Sequence, residues 1–234
     1  MKSSLELSKV VLLGRTLDEY CRYFDLKIEE LRGKAILDIA SGVGSFCAEG
    51  NERGLNVTAF DLIYELSTEE ILRRCEPDLD FVTREIAGVN AYNWDFYGSP
   101  EGMRVHRERA YRSFLHDYGK AKGERYIFGK LPHTPFRDGQ FDLTLISYLL
   151  FVYEEQSAFD YSFHKESLLE ILRITSGEAR IYPLVNFKAE RSRIFEALKS
   201  DPTFADFIFE EVRTDFEFLK NSNSFVRIRR KATP

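Results

Sequence analysis

The stretch from Ala35 to Asp61, AILDIASGVGSFCAEGNERGLNVTAFD, constrains the fold of this chain more than any other. A short apolar run ends at Asp38-Ile39, a glycine-containing turn opens a helix, and a second apolar run ends at Asp61. That order spells half of a nucleotide-binding βαβ unit. Gly42 and Gly44 let backbone approach a ligand with no Cβ in the way. The helix they open aims free N–H groups at that ligand. Asp61, at the carboxyl end of the second strand, sits where a ribose diol is gripped.

The rest of the chain reads as further strands and helices in alternation. Thr16-Leu17-Asp18-Glu19 is a capping box opening a helix with Leu17, Tyr20, Cys21 and Phe24 on one face. A short helical turn ends at Gly33, and strands follow at Ala35 to Ile39 and Asn56 to Phe60. Ser67-Thr68-Glu69-Glu70 opens a helix expected to end before Pro77. Residues 77–123 then carry no strand pattern: a helical reading at Leu79 to Val89, an aromatic knot (Tyr92, Trp94, Phe96, Tyr97) and a helix from Glu101 to Tyr118. That last helix has an apolar stripe through Met103, Ala110, Phe114 and Tyr118, with Arg104, Arg107, Arg109 and Arg112 opposite. The segment reads as a helical insert or lid.

Strands resume at Arg125 to Phe128, Gln140 to Ser147 and Glu178 to Val185, with helices at Phe163 to Thr175 and Lys188 to Lys199. Two closing strands, Asp206 to Leu219 and Ser224 to Arg230, are joined through Lys-Asn-Ser-Asn, which favours an antiparallel hairpin. The pattern implies one α/β domain over residues 1–234, with N-terminal helices within 1–33 and a mostly parallel sheet covered on both faces.

A dinucleotide site calls for G-x-G-x-x-G, and here Cys47 stands at the third glycine. The chain instead resembles the class I S-adenosylmethionine-dependent methyltransferases, from about residue 30 to the C-terminus. Their first motif, D-x-G-x-G-x-G after an apolar strand, matches Asp38-Ile39-Ala40-Ser41-Gly42-Val43-Gly44; their acidic residue after the second strand matches Asp61. Their third block aligns without gaps to Gly129–Asp142. The resemblance implies a Rossmann-like, doubly wound seven-stranded sheet with a C-terminal antiparallel hairpin, and S-adenosylmethionine as cofactor. It implies cofactor contacts at Asp38, Ala40, Ser41, Gly42, Gly44, Asp61, Leu62, Lys130 and Leu131, with Ser147 and Tyr148 flooring the methyl-transfer pocket. Tyr148 and His164 are the candidates for the catalytic, substrate-facing role, although His164, at a helix start, reads more readily as a capping or packed residue. Arg15 and Tyr20 come from a segment that in such folds often closes over the cofactor carboxylate. Two positions depart from the pattern. Ala40 replaces a glycine, and Lys130 stands where an aspartate commonly accepts the adenine amino group; these leave open a non-catalytic nucleoside-binding or partner-binding module.

Composition narrows the partners. Net charge is −5, which gives the whole molecule no footprint for bulk nucleic acid. Glu101 to Lys130 nevertheless holds eight Lys/Arg against four Asp/Glu, readable as a solvated helix face or as a site for a small anionic substrate. Cys21, Cys47 and Cys75 are scattered without metal-ligand spacing, as in a reduced cytoplasmic protein. The apolar patch Val10 to Leu13 is too short for a signal sequence or a membrane span. The expected partner is a small-molecule substrate, with oligomeric state unassigned.

Overall fold

The computed structural model describes residues 11–232, so the reading of residues 1–10 as lacking a signal sequence lies outside the described residues. Both halves of the Thr16 capping box form, and they open helix α1 (Leu17–Tyr23). A single turn, α2 (Ile28–Leu31), leads through Gly33 into strand β1 (Ala35–Ile39). Helix α3 (Phe46–Glu52) and strand β2 (Asn56–Asp61) complete the expected half-unit. Two long helices follow, α4 (Thr68–Ile86) and α5 (Pro100–Ala121), then strands β3 (Tyr126–Phe128) and β4 (Phe141–Ser147). Helix α6 (Tyr161–Ile174), β5 (Thr175–Tyr182), α7 (Arg193–Ser200), β6 (Phe207–Arg213) and β7 (Ser224–Arg230) close the described chain.

The seven strands lie in the order β3-β2-β1-β4-β5-β7-β6. The first five are parallel, and β7 runs antiparallel to both β5 and β6. This is the doubly wound, mostly parallel seven-stranded sheet with an antiparallel C-terminal pair that the resemblance implies. Successive strand residues face opposite sides, so Ile36, Val57 and Ala59 join the core under α1, α3, α4 and α5. Leu37, Ile39 and Phe60 join the core under α6 and α7. In register, Ile39 pairs with Phe60 on one side and Ile146 on the other. That pairing delivers Ala40, Asp61 and Ser147 to one sheet edge, at the point where strand order reverses and such folds bind ligands.

Four elements depart instructively from the sequence expectation. Helix α4 runs straight through Pro77, because Ile71, Cys75, Leu79, Val82 and Ile86 make one buried stripe across it. Packing of that stripe outweighs the roughly 3 kcal/mol that an interior proline costs. Strand β5 begins at Thr175, directly after α6, and ends at Tyr182, short of Val185. Helix α7 starts at Arg193 and not Lys188, capped by Ser192, whose Oγ accepts from Phe195 N–H at 3.1 Å. Strand β6 stops at Arg213. Residues 214–223 fold back over the aromatic knot, with Phe216 on Tyr97 and Phe218 on Tyr92, ring centroids 6.5 and 4.9 Å apart. Among the described residues no helix is long and apolar enough to cross a membrane.

Candidate active site

A cavity of about 740 Å³ opens at the carboxyl edge of β1, β2 and β4, within the size range of small-molecule sites. Its floor is the turn after β1. Ala40 and Gly42 hold left-handed backbone, φ +56° and +54°, and Ala40 N–H donates to Phe60 C=O at 2.8 Å. Gly44 is needed for closeness: a Cβ there would lie 3.0 Å from Ser41 O and 3.3 Å from Arg15 O.

Asp61 ties the two halves of the unit together. One carboxylate oxygen accepts from Gly42 N–H and the other from Ile63 N–H, both at 2.9 Å. Burial raises its pKa, against the pull of those backbone donors. Each oxygen keeps a further acceptor lobe, and the residue lines the cavity. Leu62 and Leu131 flank it with Phe60, forming an apolar slot. A Cβ on Gly129 would lie 2.4 Å from the Phe60 ring, so only glycine lets the third block lie against that ring.

The other end is organised by Arg15 and Tyr148. Tyr148 also has left-handed backbone, φ +54°, pinned by its N–H on Tyr182 C=O at 2.8 Å. Its ring lies 3.5 Å from the Arg15 guanidinium carbon, a cation–π contact. Arg15 Nη1 donates to Leu13 C=O at 2.9 Å, while its buried Nε has no hydrogen-bond partner among the described residues. Beneath them, the Tyr20 hydroxyl meets both Asp38 oxygens at 2.9 and 3.0 Å and Ser147 Oγ at 3.0 Å. Ser41 Oγ donates to Asp38 at 2.6 Å. Full burial pushes the Asp38 carboxyl up to about 7, against the hydrogen bonds from Ser41 and Tyr20.

Of the residues singled out from sequence, Ala40, Ser41, Gly42, Asp61, Leu62, Lys130, Leu131, Ser147 and Tyr148 all line the cavity. Three do not. Asp38 sits behind the wall, fully buried, its oxygens turned to Tyr20 and Ser41; it fixes the floor and does not form it. Gly44 is likewise behind, packed on Arg15 backbone. His164 is the clearest correction. It is fully buried on α6, its Nδ1 meets Asp160 C=O at 2.8 Å and its Nε2 accepts from Phe151 N–H at 3.3 Å. Burial lowers its pKa, so the ring is a neutral packing and capping element with no nitrogen left for a substrate.

The basic helix is also rearranged. Arg107, expected on the wet face of α5, is 2% exposed and pairs with buried Glu19 at 2.5 Å. Tyr97 donates to the same Glu19 oxygen and accepts from Arg107 Nη2 at 2.6 Å. Burial opposes the Glu19 carboxylate, but the Arg107 charge with the Tyr97 and Thr16 hydrogen bonds outweighs it and holds the pKa below its usual value. Arg104 pairs with Asp80 at 2.8 Å, Arg112 with Glu108 at 2.6 Å and Arg125 with Asp117 at 2.5 Å. Two of the four excess charges, those of Arg104 and Arg107, are thus met by carboxylates from outside the segment. Sequence reasoning missed Tyr153, Phe187 and Phe218 as cavity wall, because each comes from a loop whose path only the packed fold sets.

No family model matches the chain. Among solved structures it is similar to PH0226 protein from Pyrococcus horikoshii, with a TM-score of 0.46, 16% identity and coverage of 86% of this chain and 84% of that one. A TehB-like SAM-dependent methyltransferase from Corynebacterium glutamicum gives a TM-score of 0.46 and 16% identity over 89% of this chain and 88% of that one. Magnesium protoporphyrin IX methyltransferase from Synechocystis, solved with SAM, gives 0.45 and 8% over 87% and 73%. Likenesses this distant transfer no activity. In sequence, the uncharacterized protein MJ0045 of Methanocaldococcus jannaschii is 41% identical over 233 residues, covering 97% of this chain and 99% of that protein. The chain therefore belongs to the family of that protein.

Proposed function

We propose that this protein is an S-adenosylmethionine-dependent methyltransferase acting on a small molecule. The observation that carries the reading is Asp61, clamped by the Gly42 and Ile63 N–H groups at the cavity wall with acceptor lobes to spare for a ribose diol. The donor set suits the rest of the cofactor. Leu62, Leu131 and Phe60 offer an apolar slot for a purine, and Arg15, with its orphaned Nε, offers a cation for an amino-acid carboxylate. S-adenosylmethionine supplies an electrophilic methyl on a sulfonium. The protein's own task is to hold an acceptor in near-attack geometry and to keep water out. Tyr148, fixed in an unusual backbone conformation between Arg15 and Tyr182, is placed to wall that meeting point. The pairing of Arg104, Arg107 and Arg112 on α5 speaks for a small acceptor over a nucleic acid.

The turn at Ala40 keeps the left-handed shape that glycine provides. The alanine therefore does not distort the floor, and one ground for a non-catalytic module is weakened. Calorimetry with S-adenosylhomocysteine tests the proposal. Saturable binding is expected, weakened about ten- to hundredfold in Asp61→Ala, from loss of hydrogen bonds to a charged group. No binding at high micromolar ligand overturns the cofactor assignment; unchanged affinity in a folded Asp61→Ala overturns the ribose role.

A further inference from the structure

Beyond Tyr148 the character of the cavity changes. Its wall there is aromatic: Tyr92, Tyr153, Phe159, Phe163, Phe187 and Phe218. These six rings come from four separate stretches of chain, the loop after α4, the segment from β4 into α6, the loop after β5 and the loop after β6. They make two touching sets. Tyr153 packs on Phe159 and Phe187 with centroids 5.7 and 4.9 Å apart, and Phe159 on Phe163 at 5.1 Å. On the other side Tyr92 packs on Phe218 at 4.9 Å.

The two loops that bring the second set are stitched together by backbone. Asn93 N–H donates to Phe218 C=O at 2.7 Å, and Lys220 N–H to Ala91 C=O at 2.8 Å. Loop residues do not acquire such a ladder by accident of composition; it fixes Tyr92 and Phe218 as a roof. Phe159, Phe163 and Phe187 are only half-buried. All three line the cavity, Phe163 at the margin of the core under α6 and α7, so part of their apolar surface is left without an apolar partner. Of the charged wall residues, Asp61, Glu65 and Lys130 belong to the cofactor end together with Arg74, whose charge acts on Asp61; Arg107 is taken up by Glu19, and Arg15 marks the border by its contact with Tyr148.

We infer that this aromatic half is the acceptor subsite and that it takes an uncharged, ring-bearing small molecule, seated between the Tyr153–Phe187 set and the Tyr92–Phe218 roof. The inference rests on the methyl-transfer reading for the word acceptor, and on the cavity wall alone for the chemistry of the ligand. Flat rings satisfy such a wall by edge-to-face and offset contacts. A charged acceptor seated beyond the Arg15 border would shed its hydration among these six rings, none of which carries a charge to meet it.

The full-length protein, saturated with S-adenosylhomocysteine, is titrated with the neutral naphthalene dye prodan and its fluorescence followed. Two variants accompany it. Ala158→Trp fills the cavity from an exposed wall position, and Phe187→Asp places a carboxylate among the rings. Saturable probe binding is expected in the loaded protein, weakened at least tenfold in both variants, with S-adenosylhomocysteine affinity held within about threefold. Probe binding indifferent to both variants, or probe displaced by S-adenosylhomocysteine, overturns the ring subsite. Probe binding that is sensitive to both variants while S-adenosylhomocysteine fails to bind overturns the cofactor reading and not the subsite.

Discussion

At the scale of single residues, Ala40 shows how far a motif can bend without losing its geometry. Its φ of +56° is a region where an L side chain costs about 1–2 kcal/mol. Glycine would remove that strain but would add roughly 0.5–1 kcal/mol of unfolded-state entropy to be overcome. Ala40→Gly is therefore expected to stabilise the protein by about 0.5–1 kcal/mol, raising Tm by a few degrees in a thermal melt. A lowered Tm would mean that the Ala40 methyl, which packs on the core under α6 and α7, contributes more than the strain takes away. Ala40, Gly42 and Asp61 were legible in sequence because their roles follow from a local turn and one strand end. His164 was not. An imidazole at a helix start reads the same whether it faces a cavity or, as here, Asp160 and Phe151 in the interior.

Between elements, the decisive contact is the buried pair that pins α1 to α5. Arg107 donates to Glu19 and to Gly14 C=O at 3.1 Å, so the long helix is fastened to the segment that carries Arg15 into the cavity. Arg107→Ala leaves an uncompensated buried carboxylate, and a loss of about 3–5 kcal/mol is expected in urea unfolding. The double variant Glu19→Gln, Arg107→Met should recover more than half of that loss; a double variant as unstable as the single one would show that packing, not charge, holds the contact. Helical periodicity placed Arg107 with the other arginines of α5, and periodicity says nothing of which neighbour will cover a face. The same limit explains Pro77. Its local rule ends a helix, while the apolar stripe from Ile71 to Ile86 needs one that continues, and the stripe prevails.

For the molecule as a whole, the buried Asp38 network makes stability depend on pH. The Asp38 carboxyl is raised from the usual 3.8 to about 7. Between those values the folded chain keeps a proton that the unfolded chain releases. This group's contribution therefore falls as pH rises through that window and is smallest above it. Glu19, held below its usual 4.5, acts oppositely: its contribution is present above that value and is lost as pH falls. Urea midpoints measured from about pH 5 to about pH 8 should shift in favour of Asp38→Asn over the wild type as pH rises; a constant difference would mean that Asp38 titrates normally. The sequence by itself determined the α/β class, the βαβ turn and the places of Asp61 and Leu131 on the cavity wall, because each is written in contiguous residues whose geometry is set by glycine, strand ends and capping. Only the tertiary structure decided the burial of Arg107, the withdrawal of His164 and Asp38 from the cavity, and the closing of the aromatic half by loops more than a hundred residues apart in the chain, Tyr92 and Phe218 among them. Those outcomes depend on which surfaces meet when a hydrophobic core forms, and that is a property of the packed chain rather than of any stretch of it.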